Sequence, residues 1–329
     1  MNIGIIGSGA IVERFIEAAN LNGGININSI YSRDKNSQRA RYMADTYAIK
    51  NVYDDYDQML LNDELDFIYI ASPNSLHYGY SLKALEAGKN VICEKPFTST
   101  GKEALHLFET AKKNGLMIFE AIVNVHMPNY KLVKKLLPQI GQVRGVQLNY
   151  SQYSSRYDKF LAGESPNVFN PQFSGGALMD INIYNVHFVL GLFGQPDKYS
   201  YFPNITRGID TSGIAVFHYP GFFASLVGAK DAESDNSVII QGEKGLIYVG
   251  NGANGCEYVE LKLNKEHRGI KYNEQYQTSE LFYEVEEFKN IFESKDYSKC
   301  YELCQYSVSV IELVENLRKS AGLVFAADK

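Results

Sequence analysis

Short apolar runs alternate with segments of helical periodicity through the first third of the chain. The first run, Asn2–Ile6, is rich in isoleucine, which is typical of a strand buried on both faces. Five more such runs follow, at residues 25–31, 51–53, 66–71, 90–93 and 116–119. Strands that alternate with helices pair in parallel through right-handed crossovers. The pattern therefore predicts an α/β fold that begins with a doubly wound parallel sheet.

The pattern changes after residue 123. A period-two segment at 142–152 precedes an irregular stretch at 154–174 and an apolar helix at 177–193. Further strand-like runs lie between turns of Gly, Pro, Asn and Asp, which favours antiparallel pairing: 199–205, 213–219, 222–229, 236–241, 246–249 and 258–263. Two amphipathic helices end the chain. We predict a C-terminal α+β domain with a large, open-faced, mostly antiparallel sheet.

These two patterns predict two domains. Residues 1–123 would form a dinucleotide-binding domain of the Rossmann type, and residues 124–329 would bind the substrate and form the oligomer contacts. A large sheet with few helices leaves one face uncovered, and the abundant tyrosines suit that face to a subunit interface. We therefore expect a homodimer or a higher homo-oligomer.

Composition and charge exclude several classes of function. A net charge of −6 without any basic run argues against a nucleic-acid partner. No apolar stretch approaches the length of a membrane span, and the first strand begins too early to leave room for a signal peptide. We expect a cytoplasmic protein whose partner is a small molecule.

The four cysteines show no spacing typical of a disulfide framework. Cys300 and Cys304 lie four residues apart on a predicted helix and could share a metal ion. Without a second pair of ligands nearby, two semi-buried thiols are the favoured interpretation. We expect no metal site.

The first strand leads through a glycine turn into a helix, which is the context that a dinucleotide-binding fingerprint requires. Gly7 permits the tight turn, and Gly9 lets the backbone approach a pyrophosphate at the N-terminus of the helix. Val12 stands where the third small residue of the fingerprint is expected. An ordinary tight turn between strand and helix is the alternative. The residues predicted to bind the cofactor here are Gly7, Ser8, Gly9, Ala10 and Ile11.

The end of the second strand distinguishes NAD from NADP. Enzymes that use NAD place an acid there for the ribose 2′-hydroxyl, whereas Arg accommodates the 2′-phosphate of NADP. Ser32 can donate a hydrogen bond to that phosphate, and Arg33 can pair with it or stack on adenine. Asp34 could serve as the acid if the turn ran one residue longer, and a helix-capping role for all three residues is a further alternative. We predict NADP rather than NAD.

Ligands of open parallel sheets bind beyond the carboxyl ends of the strands. Two more segments of the first domain begin at such ends, and from them we predict six cofactor-binding residues: Ser72, Pro73, Asn74, His77, Glu94 and Lys95. Pro96 fixes the backbone and would hold Lys95 aimed into the crevice. A solvent-exposed lysine without a role in catalysis is the alternative.

The apolar helix at 177–193 carries polar residues at unusual positions. Asp180, Tyr184 and His187 are spaced i, i+4 and i+7, so a regular helix would place them on one stripe. A polar stripe that lines a crevice without catalysis is the alternative. His187 alone is more typical of a packed, hydrogen-bonded histidine.

Taken together, these motifs resemble the Gfo/Idh/MocA oxidoreductase family. The matching motifs are Gly7-Ser8-Gly9, Ser72-Pro73-Asn74 with His77, Glu94-Lys95-Pro96, Glu120-Ala121, Gly175-Gly176-Ala177-Leu178-Met179-Asp180 and Gln241-Gly242-Glu243-Lys244-Gly245. Many members carry histidine where this chain has Tyr184. The chain therefore looks more like the branch with dimeric dihydrodiol dehydrogenases, NADP-dependent xylose dehydrogenases and glucose–fructose oxidoreductase.

The resemblance implies a catalytic set of Lys95, Asp180 and Tyr184 where the two domains meet. It differs at Val12 and at the segment before Pro128, where relatives often show an arginine and this chain has Asn124 to Met127. We include Asn124 and His187 as candidate substrate contacts.

The function implied is NADP-dependent oxidation or reduction of a secondary alcohol or carbonyl in a sugar, polyol or cyclic diol. Tyr184 would exchange the proton, and Lys95 would assist it and hold the substrate oxygen. Asp180 would orient either Lys95 or a second hydroxyl. The alternative is a non-catalytic NADP-binding sensor on the same fold, since fold alone does not fix function.

Overall fold

The computed structural model describes residues 1–33 and 37–329. Its described residues form two compact units, Met1–Ala121 with Leu281–Ile311, and Ile122–Glu280 with Glu312–Lys329. The residues 281–311, which the sequence analysis assigned to the C-terminal domain, thus pack with the first unit. The predicted domain limits, 1–123 and 124–329, stay a prediction.

Strands and helices are numbered in chain order. The strands are β1 Asn2–Ile6, β2 Asn26–Tyr31, β3 Asn51–Tyr53, β4 Phe67–Ile70, β5 Asn90–Glu94, β6 Ile118–Ala121, β7 Val143–Ser151, β8 Lys198–Thr206, β9 Ile209–Tyr219, β10 Phe222–Ala229, β11 Ser237–Gly242, β12 Gly245–Gly250, β13 Tyr258–Leu263 and β14 Ile270–Tyr272. The helices are α1 Ala10–Asn22, α2 Gln38–Thr46, α3 Tyr56–Leu60, α4 His77–Glu86, α5 Gly101–Asn114, α6 Pro128–Leu136, α7 Tyr157–Leu161, α8 Ile183–Phe193, α9 Gly252–Gly255, α10 Leu281–Ser294 and α11 Tyr297–Ser320.

The first unit is built on a six-stranded parallel sheet. Its strand order is β3-β2-β1-β4-β5-β6, so the order reverses between β1 and β4. In sheets of this kind the ligand crevice lies at the carboxyl ends of the strands beside that reversal. The predicted doubly wound sheet is confirmed.

Aromatic residues fill much of the core of the first unit. The Phe15 ring of α1 stacks on Tyr69 of β4 with 3.7 Å between ring centroids. Phe288 of α10 stacks on Phe119 of β6 at 4.5 Å. Helix α10 therefore completes this core, which explains why a segment so late in the sequence belongs to the first unit.

The second unit is built on an eight-stranded sheet with the order β14-β13-β12-β11-β7-β10-β9-β8. All of its pairs are antiparallel except β7 with β10. Val146, Leu226 and Ile240 are buried on one face, whereas Phe202 and Phe223 on the other are 61% and 51% exposed. The predicted open-faced, mostly antiparallel sheet is confirmed. The sequence analysis did not predict β14 or the parallel pair.

One segment of the described residues, Pro171–Phe193, is long and apolar enough by composition to cross a membrane. The expectation that no apolar stretch approaches the length of a membrane span is therefore wrong. The protein buries 72% of its most apolar window, which is the pattern of a core helix in a soluble protein.

Candidate active site

The turn between β1 and α1 has the shape of a phosphate cradle. Gly7 has φ of 114°, and a Cβ there would lie 2.4 Å from the carbonyl oxygen of Ala71. A Cβ at Gly9 would meet no atom of the described residues within 4 Å, so this part of the chain leaves open space beside the N-terminus of α1. Among residues 1–33 and 37–329, no side chain caps that terminus. The cradle therefore fits a pyrophosphate, which binds backbone N–H groups at a helix N-terminus. Val12 is fully buried in the core instead.

A cavity of about 320 Å³ extends from this cradle within the first unit. Its lining consists of Ile6, Gly7, Ser8, Tyr31, Ser32, Arg33, Ala71, Ser72, Pro73, Leu76 and Tyr80. Six of the predicted cofactor residues are among them. The rings of Tyr31 and Tyr80 meet edge to face with 6.1 Å between centroids, and they give the cavity an aromatic wall that suits a flat base. The sequence analysis missed both tyrosines. Asp34, the alternative acid, lies outside the described residues.

Arg39 of α2 is a second guanidinium group at the cradle. Its Nε–H donates to the carbonyl oxygen of Ser8 at 3.1 Å. It also forms an ion pair with Glu13 of α1 at 2.8 Å. The sequence analysis missed Arg39 because it lies inside a helix rather than at a strand end.

His77 connects two of the segments that follow strands. Its Nδ1 lies 2.8 Å from the carbonyl oxygen of Pro96, and its Nε2 lies 2.9 Å from that of Ser72. Burial lowers the pKa of His77, whereas the two carbonyl oxygens act in the opposite direction, because both ring nitrogens can donate only in the protonated ring. A buried ring with both nitrogens on backbone oxygens positions these loops around the cavity. The peptide bond between Lys95 and Pro96 is cis.

Buried carboxyl groups surround the backbone that carries Lys95. Glu94 accepts a hydrogen bond from the Tyr69 hydroxyl at 2.7 Å, and Glu120 accepts one from the backbone N–H of Phe97 at 2.9 Å. Burial raises the pKa of Glu94. Burial, and after it the nearby charge of Glu94, raise the pKa of Glu284 well above its ordinary value. The sequence analysis had no signal for Glu284.

In the second unit Asp180 lies in a π-helical turn, Leu178–Asn182, that leads into α8. This corrects the regular helix predicted from residue 177, because a π turn holds one more residue than an α turn and changes the direction of the side chains. The Asn182 amide group fixes the turn by donating to the carbonyl oxygen of Leu226 at 2.9 Å. Turns of this kind occur frequently at functional sites.

A buried aspartate caps the start of this turn. Asp210 accepts hydrogen bonds from the backbone N–H of Leu178 and from the Tyr201 hydroxyl, both at 2.7 Å. Burial raises the pKa of Asp210 to about 6. A Cβ at Gly176 would lie 2.0 Å from Asp210 Oδ1, so a glycine there leaves room for the carboxyl group.

Tyr184 follows the π turn and is half-buried. Its ring meets the Tyr150 ring edge to face at 5.7 Å. The side-chain amide of Asn124 donates to the backbone oxygen of Tyr184 at 2.8 Å. Asn124 and His187 are both fully buried, which favours positioning or packing over substrate contact for these two predicted residues.

Asp180 has an ion-pair partner that the sequence analysis missed. The buried Lys230, directly after β10, binds Asp180 Oδ2.

Within the described ranges no group of three or more His, Cys, Asp and Glu side chains could hold a metal ion. All four cysteines are buried and unbridged.

Comparison with protein families extends over both units. Residues 1–122 match an oxidoreductase family with an NAD-binding Rossmann fold, and residues 130–248 match the GFO/IDH/MocA C-terminal domain. The chain belongs to the GFO/IDH/MocA oxidoreductase family. This confirms the predicted family.

Several proteins that are similar in sequence to this chain are dehydrogenases by name. It is 34% identical over 99% of its length to the NADP(+)-dependent scyllo-inositol 2-dehydrogenase IolU of Bacillus subtilis strain 168, of which it covers 98%. It is 31% identical over 60% of its length to the NADP(+)-dependent D-xylose 1-dehydrogenase of Hypocrea jecorina, of which it covers 56%. Its fold is similar to KijD10, a 3-ketoreductase from Actinomadura kijaniata in complex with NADP and TDP-benzene (TM-score 0.85, 21% identity, 97% of each chain).

As a family member the protein is an oxidoreductase, so the predicted enzyme class is confirmed. The relatives' named cofactor agrees with the predicted NADP. The individual site residues stay predictions.

Proposed function

We propose that this protein is an NADP-dependent oxidoreductase that acts on a secondary alcohol or carbonyl of a sugar, polyol or cyclic diol. The inositol and xylose dehydrogenases among its relatives support this substrate class. The cradle and cavity of the first unit support a dinucleotide as cofactor. When bound, the nicotinamide would accept or donate the hydride.

The chain's own residues would bind the cofactor and move the proton. Ser32 and Arg33 would bind the 2′-phosphate, and the N-terminus of α1 would bind the pyrophosphate. Tyr184 would take the proton of the substrate hydroxyl during oxidation. Lys95 would stabilise the resulting phenolate and hold the substrate oxygen, with Asp180 as the third catalytic residue.

One observation favours an enzyme over a sensor: other buried side chains hold Asp180 and the backbone of Tyr184 in place. A buried lysine holds Asp180, and a buried amide group holds the backbone of Tyr184. A protein that only binds NADP has no need of a fixed acid and phenol. A panel of substrates tests the proposal, by NADPH consumption with diketones and NADPH formation from NADP with aldoses and cyclic diols, and no turnover with any of them would favour the sensor.

Arg33→Ala should abolish a preference of the protein for NADP over NAD. A lost charge-assisted hydrogen bond to the 2′-phosphate costs about 1.5–3 kcal/mol, or about one to two decades of affinity. Fluorescence titration with both cofactors measures the preference, and Arg41→Ala on α2 is the matched control. Equal affinity of the unaltered protein for NAD and NADP would contradict the NADP assignment.

The protein should form at least a dimer through the open face of its second sheet. That face carries Phe202, Ile214, Val216, Phe223 and Ile239, which are exposed or half-buried. Exposed apolar residues grouped on one face are typical of an interaction surface. Light scattering at micromolar concentration should report at least twice 37.0 kDa for the unaltered protein.

Phe223→Glu should shift the oligomer towards monomer, because it places a charge on the open apolar face. Leu61→Glu, at an exposed apolar position of the first unit, should leave the mass unchanged. A monomeric unaltered protein would count against the interface.

We also propose a cytoplasmic location.

A further inference from the structure

The proposed function gives the buried cation Lys230 no role beyond its contact with Asp180. Its side chain is 3% exposed, and its ammonium group forms an ion pair with Asp180. The same Nζ donates to the carbonyl oxygen of Val168 at 3.3 Å and lies 4.7 Å from the centroid of the Phe169 ring. Burying an ammonium group is costly unless its donors are satisfied. The buried ammonium group of Lys230 therefore has to keep its contacts with Asp180 and with the Val168 carbonyl group, and it holds both groups in place.

The contacts of Lys230 join the π turn to the irregular segment at 154–174. Phe169 of that segment stacks on Phe160 with 4.9 Å between ring centroids. Arg207 donates hydrogen bonds to the carbonyl oxygens of Phe160 and Gly163 and lies over the Phe160 ring. The segment is thus held from two sides by cations. Lys230 is the cation that connects it to Asp180.

The chemistry of Asp180 limits what it can recognise. Its side chain is 29% exposed, so a ligand can reach it from solvent. A carboxylate offers about four acceptor positions and no donor, so it can accept a further hydrogen bond beside that from Lys230. A hydroxyl group can donate that bond, whereas a ketone or ether oxygen cannot. The paired cation holds the carboxylate in one orientation.

We propose that Lys230 is a positioning residue that aims Asp180 at a second hydroxyl of the substrate, in addition to the reacting alcohol. The inference rests on the proposed function and narrows its substrate class to diols and polyols. Of the two roles left open for Asp180, it selects the recognition of that second hydroxyl. Lys230 itself does not touch the reacting atoms.

A substrate series and one variant test this proposal. The unaltered protein is compared on a polyol and on analogues that each lack one hydroxyl. One hydroxyl besides the reacting one should improve kcat/KM by about 10- to 100-fold, the worth of a hydrogen bond to a charged group. In Lys230→Met this preference should fall to within about threefold, mostly through a higher KM for the polyol.

Lys89→Met is the matched control. Lys89 is also a buried lysine, but its Nζ donates to the backbone oxygens of Asn62 and Leu65 in the first unit. Both variants should lose thermal stability, whereas only Lys230→Met should lose the preference among polyols. NADPH affinity should be unchanged in Lys230→Met. Retention of the preference in Lys230→Met would overturn the proposal.

A second variant keeps the test decisive if Lys230→Met does not fold. Asp180→Asn removes the charged acceptor, and it should collapse the same preference. Persistence of the preference in Asp180→Asn would overturn the proposal as well. Calorimetric titration of the NADPH-bound protein with the polyol and its deoxy analogues measures the preference without turnover, because the reduced cofactor cannot accept a hydride from an alcohol. Absence of turnover with a clear binding preference would refute the proposed function alone, and turnover without any preference would refute this inference alone.

Discussion

Tyr184→Phe should lower kcat by about 10²–10⁴-fold while leaving NADPH affinity intact. Proton transfer by a positioned side chain contributes about that factor, and the substitution removes only the phenolic hydroxyl. The ring contact with Tyr150 and the hydrogen bond from Asn124 to the Tyr184 backbone do not involve that hydroxyl. The variant should therefore fold normally. Steady-state kinetics with the best substrate of the panel, beside fluorescence titration of NADPH, measures both quantities.

Tyr150→Phe is the matched control, because it removes a hydroxyl from the neighbouring ring. It should change kcat only slightly. His187→Asn should also cost less than Tyr184→Phe, since His187 is 0% exposed in the second unit. Near-normal turnover in Tyr184→Phe together with no turnover in His187→Asn would transfer the acid/base role to His187.

Lys95→Met should reduce kcat by a similar factor. An ammonium group beside a developing phenolate stabilises its charge, and methionine keeps the length of the side chain without the charge. If Lys95 and Tyr184 act as one unit, the double variant Lys95→Met/Tyr184→Phe should lose little more than either single variant. Lys83→Met, at an exposed lysine of α4, is the control. Multiplicative losses in the double variant would show that the two residues act independently.

The two sheets could be predicted from the sequence because burial of a strand on one or both faces determines the spacing of its apolar residues. In Asn2–Ile6, for example, one polar residue is followed by four apolar or small residues, and those four are the buried ones. Strand ends follow from the runs, so Gly7, Ser32 and Ser72 could be predicted to converge on one cavity. The edge strand Ile270–Tyr272 has two exposed residues and one that is partly buried, so burial imposes no such spacing on its sequence.

The supporting residues of the site could not be predicted in the same way. Lys230 and Asp180 are 50 residues apart, and only the folded sheet brings them together. The π turn at Leu178–Asn182 adds a residue to a helical turn without changing its hydropathy. Tyr31 and Tyr80 are two of 24 tyrosines, and nothing in their local sequence distinguishes them as walls of a cavity.

Gly7 and Gly9 lie two residues apart, yet different constraints exclude a side chain at each. At Gly7 the obstacle is the chain itself, since both the positive φ and the nearby Ala71 carbonyl group oppose any larger residue. At Gly9 the backbone is extended, with φ of −79° and ψ of 173°, and a methyl group would meet no atom of the described residues. A pyrophosphate bound in the cradle would collide with that methyl group. We therefore expect an added methyl group to impair folding at Gly7 and cofactor binding at Gly9.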